Sequence, residues 1–210
     1  MNIDEYIRLH TSPQGQLLDS LERRAHVELM RPRMISGHVQ GRLLKIIASI
    51  VRPRYVLEIG TYTGYAAICL AESLTPEAEL HTIESDDEML DFIHRFVSQS
   101  PQAGQIHIHH GDALDLIPVL VECYPFDLVY IDANKREYIR YYDLLIDRLP
   151  VGALILADNT LWDGKVAQEP MPQDAQTKGI DQFNKYIASD PRVEQVILPL
   201  RDGLSLIYKL

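Results

Sequence analysis

From Arg54 onward, apolar runs and helical stripes take turns along the chain. Short apolar runs read as strands at 54–59, 80–84, 106–110, 126–131 and 152–157, and the spacing between them predicts helices over 64–74, 86–99, 113–122 and 137–148. Alternation of this kind predicts an α/β fold, a mostly parallel sheet with helices on both faces. Ser85 followed by Glu88 reads as a capping box for the helix after the second strand. Residues 162–180, with Pro170 and Pro172, read as a long substrate-facing loop, and a helix follows near 178–189. Two last runs, 193–199 and 203–209, are joined by Arg201-Asp202-Gly203, and so tight an Asp-Gly link makes them an antiparallel hairpin.

Ahead of the first strand, 2–10 and 15–30 read as helices, the second started by Ser12-Pro13. A third runs from about Gly37 to Val51, and Pro53 stops it. Leu17, Leu18, Leu21, Ala25 and Leu29 make an apolar stripe on the second helix, facing either the core or a dimer interface. On the third, Val39, Leu43, Leu44, Ile46, Ile47 and Ile50 make the side expected to be buried. One domain is expected over 1–210, with 1–52 as a helical cap or dimer extension and 53–210 as the α/β core.

The chain is organised around YVLEIGTYTGY, residues 55–65, which reads as strand, glycine-bearing turn and helix. Such a turn at the carboxyl edge of a parallel sheet holds a nucleotide-like ligand. Gly60 would let the backbone approach that ligand, Gly64 would let helix and strand pack closely, and Glu58 would place a carboxylate nearby. The G-x-x-x-G spacing differs from the G-x-G-x-x-G of dinucleotide sites, so it suits a ligand without a diphosphate. One unit later, LHTIES ends in Glu84, placed to bind both hydroxyls of a ribose. An adenosine with a ribose and no pyrophosphate describes S-adenosylmethionine. Asp112, at the end of the third strand, either meets the adenine amino group or caps the next helix.

A second centre of chemistry lies in FDLVYIDANKREY and GALILADNTLWDG. Asp132 stands at one strand tip with Lys135 in the following loop, and Asp158 and Asn159 stand at the next tip. Neighbouring strands would bring these tips to about 5 Å. Two carboxylates and an amide in that position suit a hard divalent cation, Mg²⁺ first and Ca²⁺ or Mn²⁺ after it, and not zinc. Taken singly, each aspartate would read as a helix cap. His107, His109 and His110 in the third strand read as the polar face of an edge strand rather than a metal centre.

A net charge of −10 disfavours broad attraction to nucleic acid, although Arg23, Arg24, Arg31, Arg33, Arg52 and Arg54 keep an RNA substrate in view. At 46% hydrophobic residues, 210 residues suffice for one buried core. No run approaches a membrane span and MNIDEYIRLH lacks a signal-peptide core, so a cytoplasmic protein without membrane partners is expected. Cys69 and Cys123 read as buried structural thiols.

With both centres located, the sequence resembles the cation-dependent O-methyltransferases, the family of catechol and caffeoyl-CoA O-methyltransferases and small bacterial relatives. The resemblance runs from about Arg33 to Lys209 and rests on Gln40-Gly41, LEIGTYTGY, Glu84, GDA at 111–113, IDANK at 131–135, ADNTLWDG at 157–164, DPRVE at 190–194 and DGLSLIYK. It implies a seven-stranded Rossmann-like sheet whose last strand is antiparallel, and a homodimer. It implies that Ser36, Glu58, Gly60, Thr61, Gly64, Glu84, Asp112, Ala113 and Asp132 surround S-adenosylmethionine. It assigns Asp132, Asp158 and Asn159 to the metal, gives Lys135 and Asp132 the catalytic role, and turns Met34, Trp162 and Asp163 toward the acceptor. Three departures are visible. Ala66 stands where relatives have Ser, Asn134 replaces an Asp, and no carboxylate stands near Val196 except Glu194, two residues away on the same side of the strand. The acceptor expected is a small hydroxylated aromatic with vicinal oxygens. A hydroxylated uridine in transfer RNA is the alternative, and a non-catalytic metabolite-binding protein is the rival of another class.

Overall fold

A computed structural model describes all of residues 1–210. The N-terminal part is helical, with α1 (Ile3–Leu9), α2 (Gln16–Glu28) and α3 (Gly37–Val51). Then follow β1 (Tyr55–Ile59), α4 (Tyr65–Ala71), β2 (Glu79–Glu84), α5 (Leu90–Val97), β3 (Ile106–His110), α6 (Ala113–Cys123), β4 (Leu128–Ile131), α7 (Tyr138–Ile146), β5 (Leu154–Asp158), α8 (Ala175–Ala188), β6 (Val193–Leu198) and β7 (Leu204–Lys209). The seven strands lie in the order β3-β2-β1-β4-β5-β7-β6, and only β7 runs against its neighbours. This is the Rossmann-like sheet expected, and the order reverses between β1 and β4, where such sheets open a crevice for ligands.

Each strand turns alternate side chains to opposite faces. Val56, Leu80, Leu128, Tyr130 and Leu156 pack with α2 to α5 on one face. Leu57, Ile59, Val129, Ile131, Ile155 and Ala157 pack with α6 to α8 on the other. Carried to the strand ends, the alternation puts Glu58, Glu84 and Asp158 on the face of the N-terminal helices, with Asp132 one residue past β4 in the same phase. Ile59 pairs with Ile131, and Ile131 with Ala157, so the tips of β1, β4 and β5 stand side by side.

The N-terminal helices pack on that face. Leu18, Leu21 and Ala25 of α2 are buried in its core, with Leu17 and Leu29 partly buried against it. On α3 the buried side is Gln40, Gly41, Arg42, Leu44, Ile47 and Ala48, whereas Ile46 and Ile50 are 54% and 75% exposed, against expectation. The stripe is rotated because Gly41 lies against α4: a Cβ there would stand 2.8 Å from Cys69 Sγ and 2.9 Å from the Tyr65 ring.

Several boundaries differ from the sequence reading. Ser12-Pro13 does not start α2, which begins after Gly15 without a side-chain cap. The turn after β2 is capped by Asp86, whose carboxylate accepts from Glu88 N, and not by Ser85; a short 3₁₀ turn therefore precedes α5. The capping carboxylate of Asp174 takes Thr177 N and Thr177 Oγ1, so α8 begins at Ala175 and shortens the loop expected to reach residue 180. Cys69 is buried, but Cys123, at the end of α6, is exposed. No helix is long and apolar enough to cross a membrane.

Candidate active site at the strand tips

A crevice opens at the switch point. Its walls are the segment 34–36, the turn 60–63 with Tyr65 and Ala66, and Tyr130 with Asp132. Gly60 has φ +98°, and a Cβ on it would stand 2.3 Å from the Asp132 carbonyl oxygen, so only glycine lets the β1 and β4 tips meet this closely. Gly64 has φ +80° and lies against Val97 of α5, so the helix it admits is α5. Both Gly60 N and Thr61 N donate to the Ile83 carbonyl, at 3.0 and 3.1 Å. The turn thus spends these N–H groups on β2 and does not present them to a phosphate.

Around this turn sit two carboxylates. Glu84 accepts Tyr62 N on Oε2 at 2.7 Å and Asp86 N on Oε1 at 2.9 Å, which fixes its plane beside the 60–63 turn. Glu58 is fully buried; Thr82 Oγ1 donates to its Oε2, while Oε1 has no partner. Burial first, then the charges of Asp132 and Glu84, push its pKa up to about 8 against the Thr82 hydrogen bond. Ser36 is buried with Oγ 3.4 Å from the Tyr130 hydroxyl, and Thr61 Oγ1 meets Thr82 Oγ1. Asp112 caps α6 through Leu114 N at 2.8 Å, with Ala113 buried beside it.

The β4 and β5 tips carry the second group. Lys135 Nζ donates to Asp132 Oδ1 at 2.7 Å and to the Tyr138 hydroxyl at 2.9 Å. Burial opposes the Lys135 charge, but Asp132 outweighs it and raises the pKa, so the side chain stays an ammonium. Asp158 is 3% exposed; its Oδ2 accepts Gln40 Nε2 at 2.6 Å and Tyr130 OH at 2.8 Å, and its Oδ1 accepts Asn159 N at 2.8 Å. Burial and then the Asp132 charge push Asp158 above the usual carboxylate range. Asp132 Oδ2 and the Asn159 side chain make no hydrogen bonds.

This donor set fits a hard divalent ion: Asp132, Asp158 and Asn159 offer oxygens at adjacent tips, Asp132 Oδ2 and the Asn159 side chain have no hydrogen-bond partner, and the Asp132 charge acts on Asp158. No three His, Cys, Asp or Glu side chains converge to hold a metal anywhere in the chain, and here the third donor is an amide. Asn134, in place of an Asp, accepts from Arg136 N and Nε at 3.3 Å and caps the next turn instead of facing Asp158.

Of the groups expected to face the acceptor, Met34 lines the crevice, while Trp162 and Asp163 follow the β5 tip and are not among the crevice walls. Met34 is 53% exposed in the crevice wall, Asp163 is exposed, and Trp162 packs partly against the α6–α8 core with an unpartnered Nε1. Trp162 and Asp163 hold φ +46° and +56°, a turn pinned where Leu161 N and Trp162 N donate to the Asp202 carbonyl. Arg201 reaches from the same hairpin to the Ile35 carbonyl at 2.9 Å, tying the crevice wall to β6-β7. Glu194 and Val196 are both exposed on the edge strand β6.

Sequence reading missed Gln40, Tyr130, Tyr138 and Arg201 as neighbours of the site. Tyr130 was legible from parity, two residues before Asp132 on the same face. Gln40 and Arg201 act across 118 and 166 residues, and no local pattern announces them.

The histidines gather elsewhere, at the β2-β3 edge. His81 is buried with Nδ1 3.0 Å from His109 Nε2, and its ring stacks on those of His107 and His109.

The family model for O-methyltransferases matches residues 9–210. A catechol O-methyltransferase of Niastella koreensis is 32% identical over 80% of this chain and 78% of its own length. A caffeoyl-CoA O-methyltransferase of Petroselinum crispum is 31% identical over 84% and 77%. Among solved structures, an O-methyltransferase of Bacillus cereus in complex with SAH superposes with a TM-score of 0.89 at 25% identity, covering 99% of this chain and 97% of that one. TomG of Streptomyces achromogenes, an O-methyltransferase of tomaymycin synthesis solved with SAM, gives 0.90 at 29% identity over 99% and 95%. With the match running through both strand-tip centres and nearly to the ends of the chain, this protein belongs to the O-methyltransferase family.

Proposed function

We propose that the protein transfers the methyl group of S-adenosylmethionine to one of two vicinal hydroxyls on a small catechol-like or caffeoyl-type aromatic, with the help of a divalent cation, Mg²⁺ before Ca²⁺ or Mn²⁺. The observation that carries this reading is the pair Asp132 and Asp158, side by side with Asn159 and unneutralised on the side away from Lys135. S-adenosylmethionine supplies an electrophilic methyl group on sulfur. A cation held by Asp132, Asp158 and Asn159 would supply a Lewis acid that makes a neighbouring hydroxyl more acidic.

The rest is done by the chain's own residues. Glu84, held by two backbone N–H groups, keeps lone pairs for a ribose diol. Gly60, Thr61, Gly64, Ser36 and Ala113 shape the space around the adenosyl and methionyl parts, with Ala66 offering no hydroxyl where relatives have Ser. Glu58 stands behind the turn, and Asp112 closes the end of β3 as the cap of α6. Lys135, paired with Asp132 and the Tyr138 hydroxyl, stands where it can stabilise a developing phenolate or take its proton once a cation has drawn off the Asp132 charge. Met34 in the crevice wall, with Trp162 and Asp163 in the loop after the β5 tip, selects the acceptor and excludes water.

The named activities of the relatives support vicinal phenols, and the net charge of −10 favours a small acceptor over transfer RNA. We take the protein to act in the cytoplasm as a homodimer; exposed Ile46 and Ile50 on α3, with the wholly unburied α1 nearby, are the surface that supports the second point. The test is methyl transfer to caffeic acid beside p-coumaric acid, which lacks the second hydroxyl. Transfer to the first alone is expected. Equal transfer to both would contradict the vicinal requirement, and transfer only to 5-hydroxyuridine in transfer RNA would move the acceptor to RNA. S-adenosylmethionine binding with no transfer to any of them would favour a metabolite-binding protein.

A further inference from the structure

The Gln40-Gly41 pair belongs to neither strand-tip motif, yet it lies where the N-terminal helices meet them. Gln40 is 1% exposed on α3. Its Nε2 donates to Asp158 Oδ2 at 2.6 Å and to the Tyr130 hydroxyl at 3.0 Å, and the same hydroxyl donates to the same Asp158 oxygen at 2.8 Å. Two neutral donors from different elements thus converge on one carboxylate oxygen. The other oxygen, Oδ1, takes only the backbone N–H of Asn159.

Gly41 explains the reach. Its Cβ position falls within 3.1 Å of the Cys69 sulfur and of two atoms of Tyr65, so any side chain would lift α3 off α4 and withdraw Gln40 from the β5 tip. The chemistry of the donor matters as well. A lysine or arginine at position 40 would reach the same oxygen but neutralise it, leaving little attraction for a cation. An amide fixes the plane of the carboxylate and leaves its charge in place.

We infer that Gln40, seated by Gly41 and seconded by Tyr130, is a positioning residue that presents Asp158 to a divalent cation without neutralising it. This rests on the cation reading of the Asp132, Asp158 and Asn159 tips. It also gives the N-terminal segment a role in the metal centre: the helix that follows the crevice wall at 34–36 orients one of the two carboxylates.

The experiment is a Mn²⁺ titration followed by electron paramagnetic resonance, on the full chain as wild type, Gln40→Met, Tyr130→Phe and Asp158→Ala, with thermal melting of each. Gln40→Met keeps length and loses the donor. It is expected to raise the Mn²⁺ dissociation constant roughly 10- to 100-fold. The metal concentration for half-maximal methyl transfer should rise with it, while kcat at saturating metal recovers. Tyr130→Phe removes the second donor to the same oxygen and carries the same prediction with a smaller shift, should Gln40→Met fail to fold. Wild-type Mn²⁺ affinity in both variants, with binding lost in Asp158→Ala, would overturn the inference and leave the cation site standing. Wild-type affinity in Asp158→Ala would overturn the cation site and the inference together.

Discussion

Glu84 and Asp158 stand at the tips of β2 and β5, on the same face of the sheet, and their charges are met in opposite ways. Glu84 takes two backbone N–H groups, from Asp86 in the turn that follows it and from Tyr62 in the neighbouring β1–α4 turn. Asp158 takes side chains from Gln40 and Tyr130, 118 and 28 residues away, besides the N–H of its neighbour Asn159, and faces the like charge of Asp132. A carboxylate satisfied by nearby backbone is stable whether or not a ligand is present. One held by side-chain donors opposite another carboxylate keeps a like-charge repulsion, which is what the proposed cation would relieve.

The largest effect should come from the second region. Asp132→Ala or Asp158→Ala is expected to lower methyl transfer by about 10³-fold or more, since a Lewis acid contributes several kcal/mol to such a step. The far-UV circular dichroism should be that of the wild type. Normal turnover in either variant would break the comparison. Next is Lys135→Ala, expected to reduce kcat by about 10²-fold through the lost electrostatic stabilisation. S-adenosylhomocysteine affinity should be retained, and a loss confined to that affinity would move Lys135 from the transfer step to cofactor binding.

Glu84→Gln probes the first region. The amide keeps one oxygen for one of the two backbone donors, turns an NH2 toward the other and offers no charge, so S-adenosylhomocysteine should bind roughly 10-fold more weakly or worse. Calorimetric titration reads this directly, and Mn²⁺ affinity should not change. A variant that loses the metal as well would show the two regions to be one.

The smallest effect lies away from both. Burial, and then the neighbouring His107 and His109, lower the His81 pKa to about 4 against the pull of Glu79. As pH falls, the unfolded chain takes up this proton near 6.5 and the folded one only near 4. Full stability is therefore present above pH 6.5 and declines between 6.5 and 4. The difference in unfolding free energy between wild type and His81→Phe should change across that window by on the order of 1–3 kcal/mol. A parallel pH dependence in the two proteins would assign no such role to His81.

What the sequence made legible divides along the same line. Strand-turn-helix at 55–65, Glu84, and the paired tips Asp132 and Asp158 follow from local periodicity plus the assumption that β4 and β5 are neighbours, which their register confirms. Parity along the strands also places all four tip carboxylates on one face. Gln40 and Arg201 were not legible, because their partners depend on how α3 and the β6-β7 hairpin dock. The exposed Ile46 and Ile50 were misjudged for a related reason: the close approach at Gly41 rotates the buried side of α3. The start of α8 was placed too late because the Asp174 cap lies inside a proline-bearing stretch that reads as loop. Ser12-Pro13 is a start signal that α2, beginning after Gly15 without a side-chain cap, does not use.

The account turns on whether the β4 and β5 tips need a divalent ion to do their work. The direct test is the rate of methyl transfer from labelled S-adenosylmethionine to caffeic acid with Mg²⁺, then with excess chelator, then with Mg²⁺ restored. Transfer that stops with chelator and returns with Mg²⁺ is the predicted result. An undiminished rate in chelator, with S-adenosylmethionine bound throughout, would contradict it.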